Sequence, residues 1–131
     1  MPKTTIPTTA LPHNPPQGMG SVRLVQLTDT HLMQDPGASL RGARTLPRLQ
    51  ACLAHAQHHF FPVDAVLLTG DIVHDEPAAY GTVDLLFGGL GVPILAIPGN
   101  HDDPDEMRRQ LGHSPFQVGG QWFTRNGWQV L

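Results

Sequence analysis

Two rhythms of apolar and polar positions alternate along the chain. Val22 to Leu27 (VRLVQL), Ala65 to Thr69 (AVLLT) and Ile94 to Ile97 (ILAI) are short apolar runs of strand length. Each ends in a polar turn: Thr28-Asp29-Thr30-His31, then Gly70-Asp71, then Pro98-Gly99-Asn100-His101-Asp102. Between these runs the spacing is helical. Leu49, Cys52, Leu53, Ala56 and Phe60 share one face of a predicted helix, capped by Thr45, with Pro47 in its first turn and its end near Phe61-Pro62. Tyr80, Val83, Leu86, Phe87 and Leu90 form the face of a second, opened by Asp75 or Glu76 before Pro77 and closed by Gly88, Gly89 and Gly91. Asp103, Pro104 and Glu106 read as cap, first turn and capping-box partner of a short third helix that stops at Gly112. A loop containing Pro36, Gly37 and Gly42 precedes the first helix, and Gln121 to Thr124 with Trp128 to Leu131 form a predicted hairpin around Asn126-Gly127.

Strands alternating with helices specify an α/β fold with a parallel sheet and right-handed crossovers. The three polar turns then fall together at the carboxyl edge of that sheet, where open α/β sheets bind their ligands. Residues 1–20 carry five prolines among threonines and glycines without periodicity, so they are expected to be a flexible tail, with one domain from 21 to 131. The length of 131 residues, 40% of them hydrophobic, suits one small core. The net charge of −3, with Lys3 the sole lysine beside seven arginines, gives no footprint for nucleic acid or an anionic membrane. Cys52, alone of its kind, is expected to be buried on the first helix. With no apolar run of spanning length and no secretory h-region, the cytoplasm is the expected compartment.

The strand ends collect oxygen and imidazole donors. Asp29 and His31, two apart in an extended turn, leave on the same side and can chelate one cation. Asp71 follows Gly70, which permits a sharp turn, and its two oxygens can bridge two cations. Asn100 adds a neutral oxygen. Mixed N and O donors without thiolate favour Mn, Fe or Zn. Two such cations about 4 Å apart can clamp an ester phosphate and offset charge on a leaving oxygen, so the expected chemistry is two-metal phosphoester hydrolysis. His101 is expected to face the leaving group as a general acid or charge-stabilising donor, with Asp102 orienting its other ring nitrogen.

Asp29-Thr30-His31, Gly70-Asp71 and Gly99-Asn100-His101-Asp102 resemble the D-x-H, G-D and G-N-H-D motifs of the calcineurin-like metallophosphoesterases. The tetrapeptide alone is expected by chance about once in a thousand chains of this composition. QLTDTHL, the following LRG and GDIVHD are further similar to the class III cyclic-nucleotide phosphodiesterase branch. The resemblance, from about residue 22 onward, implies a two-sheet sandwich flanked by helices, of which this βαβαβ start with its hairpin is the first half. It implies Asp29, His31 and Asp71 on a first metal, Asp71 and Asn100 on a second, His101 as the catalytic histidine, and a small phosphodiester such as a cyclic nucleotide as substrate. That family completes both sites with a later histidine and a G-H-x-H motif, whereas His113 alone follows His101 here, in Gly-His-Ser-Pro. The expectation is therefore an amino-terminal part of a longer domain, inactive by itself. The alternatives are a metallophosphatase or nuclease of another branch, or a catalytically silent fragment.

Other polar residues have plainer readings. His55 and His59 have i, i+4 spacing, but a solvated helix face is favoured for them and for His58. His74 and Asp75 follow Asp71 and are read either as supports of the site or substrate-facing groups, or as loop and helix cap. Trp122 and Trp128 are expected to pack at the hairpin.

Overall fold

The computed structural model describes residues 20–119 and 123–130. Four parallel strands form its sheet, in the order β1-β4-β5-β6: β1 is Leu24–Leu27, β4 is Ala65–Thr69, β5 is Ile94–Ile97 and β6 is Phe116–Val118. Between β1 and β4 lie a small hairpin, β2 (Ser39–Leu40) and β3 (Ala43–Arg44), and the helix α1 (Thr45–His59). A 3-10 turn, Pro77–Ala79, and α2 (Tyr80–Phe87) connect β4 to β5. The helix α3 (Pro104–Leu111) connects β5 to β6, and β7 (Phe123–Arg125) pairs with β8 (Trp128–Val130) as an antiparallel hairpin.

The α/β class and the parallel sheet match the apolar rhythm, because β4, flanked on both sides, is composed of residues that tolerate burial. Ala65, Val66 and Leu68 are buried, as an all-parallel sheet covered by helices requires. Tyr80, Val83 and Phe87 of α2, Met107 and Leu111 of α3, and Leu49, Leu53 and Ala56 of α1 complete the core. Among the described residues no helix is long and apolar enough to cross a membrane.

Several local expectations are corrected. Cys52 is exposed, because α1 buries only the narrow stripe Leu49, Leu53 and Ala56, and Cys52 lies roughly 60° round the helix from Leu49 on the far side from Leu53. Phe60, expected on the same face, is 42% exposed: it follows the last helical residue, where φ of −122° ends the helical phase. Thr45 does not cap α1 but is its first residue, since the β3 strand runs through Arg44 directly into the helix. Asp103 caps α3 as expected, its Oδ1 accepting from the amides of Asp105 and Glu106, but the Glu106 side chain turns to Arg109 instead of returning to the cap. The loop around Gly42 is a tight hairpin turned at Arg41 and Gly42, both at positive φ, and β6 was not anticipated. The Asn126-Gly127 turn has the predicted positive φ at both positions (52° and 83°) and joins β7 to β8. Trp128 stays 41% exposed, its Nε1 donating to Gly20 O at 2.8 Å. Residues 1–19 of the expected tail, together with Gln121, Trp122 and Leu131 of the expected hairpin, lie outside the described residues.

Tyr80 ties α2 to the strand ends. Its hydroxyl donates to Asp102 Oδ1 at 2.9 Å and accepts from the Asp103 amide at 3.2 Å. Burial, and then the hydrogen bond to the Asp102 carboxylate, push the phenol well above its ordinary range.

Two predictions follow from the packing. Leu53→Ala should lower stability by about 2–5 kcal/mol through the cavity it leaves, whereas Cys52→Ser should change it by less than about 0.5 kcal/mol; comparable shifts in melting temperature for the two would place the buried stripe of α1 wrongly. Because the folded phenol is raised, the stabilisation carried by neutral Tyr80 is complete below about pH 10 and fades as pH climbs from there through the folded value. Tyr80 is the single tyrosine of the chain, so phenolate absorbance reports it alone. Its titration midpoint should stand above the ordinary tyrosine value in the folded chain and return to it in urea, and Tyr80→Phe should flatten the alkaline decline in stability.

Candidate metal centre

β1, β4 and β5 are adjacent and parallel, so the turns that follow them emerge side by side. The first two remain zipped together beyond the sheet. Asp29 N donates to Gly70 O at 3.0 Å, His31 N to Asp71 O at 2.9 Å, Leu32 N to Ile72 O at 2.9 Å and His74 N to Leu32 O at 2.9 Å. This ladder holds Asp29, His31, Asp71 and Asp75 at φ of 54°, 45°, 47° and 60°, left-handed conformations that L-residues seldom adopt. Each costs about 1–3 kcal/mol and persists where the surroundings over-determine it, a pattern concentrated at functional sites.

The glycines of two motifs meet. Gly70, at φ of 87°, lies so close that a Cβ on it would stand 3.2 Å from Gly99 Cα. A Cβ on Gly99 would collide with the Asp71 carboxylate and amide. The pair therefore lets the loop after β4 and the loop after β5 touch backbone to backbone, with the Asp71 side chain in the space between them. Asp71 Oδ1 accepts from the His101 amide at 3.0 Å, which fixes the Asn100-His101 turn relative to the carboxylate.

Asp29, His31 and Asp71 each offer one ligand-type atom, all within 4.8 Å of one another. The structure thus brings together the three residues expected on a first cation. Two carboxylate oxygens and an imidazole nitrogen, with no sulfur, form a donor set that fits a divalent metal such as Mn, Fe or Zn. Asn100 is exposed on the adjoining turn, one residue from the amide held by Asp71. His113 does not join the cluster; its Nε2 pairs with Asp84 on α2 at 3.4 Å.

His101 is half-buried, its ring edge-on to His31 with centroids 5.4 Å apart. The expected role of Asp102 is corrected. Its carboxylate accepts from the amides of Ile72 (3.1 Å), Val73 (3.1 Å) and Gly99 (2.8 Å) and from the Tyr80 hydroxyl (2.9 Å). These contacts are with backbone and tyrosine, and His101 Nδ1 instead meets Asp75 Oδ1 at 3.1 Å and Oδ2 at 3.3 Å. A backbone bond from Asp75 N to His101 O, 3.1 Å, holds the same two residues together. Asp75, left open by the sequence between a support of the site and a helix cap, is the partner of His101, and its place in GDIVHD, four residues after Asp71, is the signal for the first of these.

The family model of the calcineurin-like phosphoesterases matches residues 22–130. A probable cyclic nucleotide phosphodiesterase of Synechococcus is 37% identical over 112 residues, covering 85% of this chain and 43% of that protein. The 3',5'-cyclic adenosine monophosphate phosphodiesterase CpdA of Escherichia coli is 31% identical over 118 residues, covering 89% and 43%. The corresponding enzyme of Pseudomonas aeruginosa is 34% identical over 97 residues, covering 73% and 36%. The chain therefore spans less than half the length of these curated relatives. With the family model spanning both the parallel sheet and every strand-end donor, the chain belongs to the calcineurin-like phosphoesterase family.

Proposed function

We propose that these strand ends form part of a two-metal centre for hydrolysis of small phosphodiesters, with cyclic nucleotides as the substrate class. The observation that carries the reading is the convergence of Asp29, His31 and Asp71 within 4.8 Å beside His101. The substrate class rests on the printed names of the relatives, which include cyclic nucleotide and cyclic adenosine monophosphate phosphodiesterases. When bound, the cations supply charge to the phosphate oxygens and an activated water.

The chain's own residues do the rest. Asp29, His31 and Asp71 would hold the first cation, and Asp71 together with Asn100 would contribute to a second. A neutral amide there limits the negative charge around a phosphate that must approach. His101, with Nδ1 held by Asp75, keeps Nε2 for the leaving oxygen, to which it donates a proton or a hydrogen bond. Asp102 acts on the site through the backbone it binds and touches no substrate. Asp71 and Asn100 would give the second cation two donors of this chain.

Asp71→Asn should impair metal binding more than any other single substitution, since it alters the carboxylate shared by both cations while the amide oxygen can still accept from His101 N. Calorimetric titration with Mn checks this, and unchanged affinity and stoichiometry in Asp71→Asn would sink the bridging role. The 131-residue chain should show negligible turnover of bis-p-nitrophenyl phosphate or cyclic AMP with Mn, and a version extended to supply histidine donors should hydrolyse them and lose that activity on Asn100→Ala. Equal turnover by the chain alone, abolished by Asn100→Ala, would show that its donors suffice; an inactive extended version would remove the phosphodiesterase reading.

A further inference from the structure

His74, Asp75 and His101 also bring one ligand-type atom each within 4.8 Å. As a metal triad they are poorly aimed. The His74 and His101 rings are stacked, centroids 4.4 Å apart and 29° from parallel, so their nitrogens do not converge on one point, and Asp75 is already engaged with His101 Nδ1. The contacts form a row instead. His31 Nδ1 lies 3.1 Å from His74 Nδ1, His74 Nε2 lies 4.0 Å from Asp75 Oδ2, and Asp75 Oδ1 lies 3.1 Å from His101 Nδ1.

Two neutral imidazole nitrogens at 3.1 Å share one proton, so one ring donates and the other accepts. Both ends of the row give the same direction. His31 Nε2 is on the Asp29 side, 3.8 Å from Oδ1, and serves as a ligand only when unprotonated, which puts the His31 proton on Nδ1. At the other end the negative Asp75 carboxylate stands 4.0 Å from His74 Nε2, beyond hydrogen-bond distance, and its charge favours the His74 proton on that nitrogen, leaving His74 Nδ1 bare.

We propose that His74 is a positioning residue: its Nδ1 accepts from His31 Nδ1–H and so presents the His31 Nε2 lone pair to the cation, while the Asp75 carboxylate, bonded to His101 Nδ1, faces His74 Nε2 with its charge. The proposal deepens the metal-centre reading and rests on it. Partners of this kind fix the ring orientation and basicity of metal-bound histidines. Free histidine in water favours the proton on Nε2, the wrong tautomer for this ligand, so removing the acceptor has a visible consequence.

The test uses 15N-histidine-labelled chain and long-range proton–nitrogen spectra at about pH 8, which report directly which ring nitrogen carries each proton. Wild type should show His31 protonated on Nδ1. His74→Ala should move it to Nε2, and His74→Asn, whose Oδ1 falls where the His74 Nδ1 was, should restore it. In Mn calorimetry His74→Ala should weaken binding by about 10- to 100-fold and His74→Asn should recover most of that loss. If His74→Ala does not fold, His74→Gln, with its oxygen at the Nε2 position, replaces it in the comparison with His74→Asn. His31 remaining Nδ1-protonated without an acceptor at residue 74, or Asn behaving like Ala or Gln, would overturn the proposal. Wild-type chain that binds no Mn would instead remove the metal reading, with the tautomer spectra still deciding the role of His74.

Discussion

The Asp102 carboxylate organises everything at the carboxyl edge of the sheet. Its two oxygens accept four hydrogen bonds, from the amides of Ile72 and Val73 in the loop after β4, from Gly99 in the loop after β5, and from Tyr80 at the start of α2. Hydrogen bonds to an ionised group contribute about 1.5–3 kcal/mol each, and a lost acceptor would leave several half-buried donors unmatched. The charge matters as much as the shape. A carboxylate is acceptor on both oxygens, whereas an amide in its place would turn an N–H toward one of these N–H groups. Because His101 precedes Asp102 directly, fixing Asp102 also fixes where the His101 backbone passes Asp71.

That clasp makes the strained residues tolerable. The parallel ladder of β1 and β4 does not stop at the sheet but continues through Asp29, His31 and Leu32, closing with the bridge between Leu32 and Val73. Each residue held in a left-handed conformation would escape if its loop were free. The ladder binds one loop to the next and Asp102 binds the second to the third, so no donor-bearing residue can relax without breaking several hydrogen bonds. Leu32, Ile72 and Val73, interleaved with the polar residues, are buried almost completely and anchor the same loops in the core.

The strand ends were legible because their signals are local. An apolar run followed by Asp-x-His, Gly-Asp or Gly-Asn-His-Asp states both a direction change and a set of donors, and β5 emerged at its expected bounds. The roles of Asp75, His74 and Asp102 were not legible, since each depends on which loop lies opposite. Asp102 beside His101 in sequence looks like its partner, yet adjacent residues on a turn diverge, and Asp75, 26 residues away, makes the contact. Cys52 shows the same limit in a helix: periodicity gave the axis of the buried stripe, but its width was set by what packs against it. β6 was hidden because Phe116, Gln117 and Val118 are too few to form a pattern.

Three aspartates in this edge thus have three different functions, set by surroundings and not by residue type. Asp102 has both oxygens occupied by the four donors from which it accepts. Asp75, the most exposed of the three, has a free face toward solvent and uses its oxygens on imidazole rings. Asp71 accepts from the His101 amide on one oxygen, and it brings a ligand-type oxygen within 4.8 Å of a carboxylate oxygen of Asp29 and a ring nitrogen of His31. Acceptors crowded this closely repel one another, and the rigid ladder prevents them from spreading apart. A divalent cation held there would turn this crowding into attraction, and with the donors already held in place its binding would have little conformational entropy left to overcome.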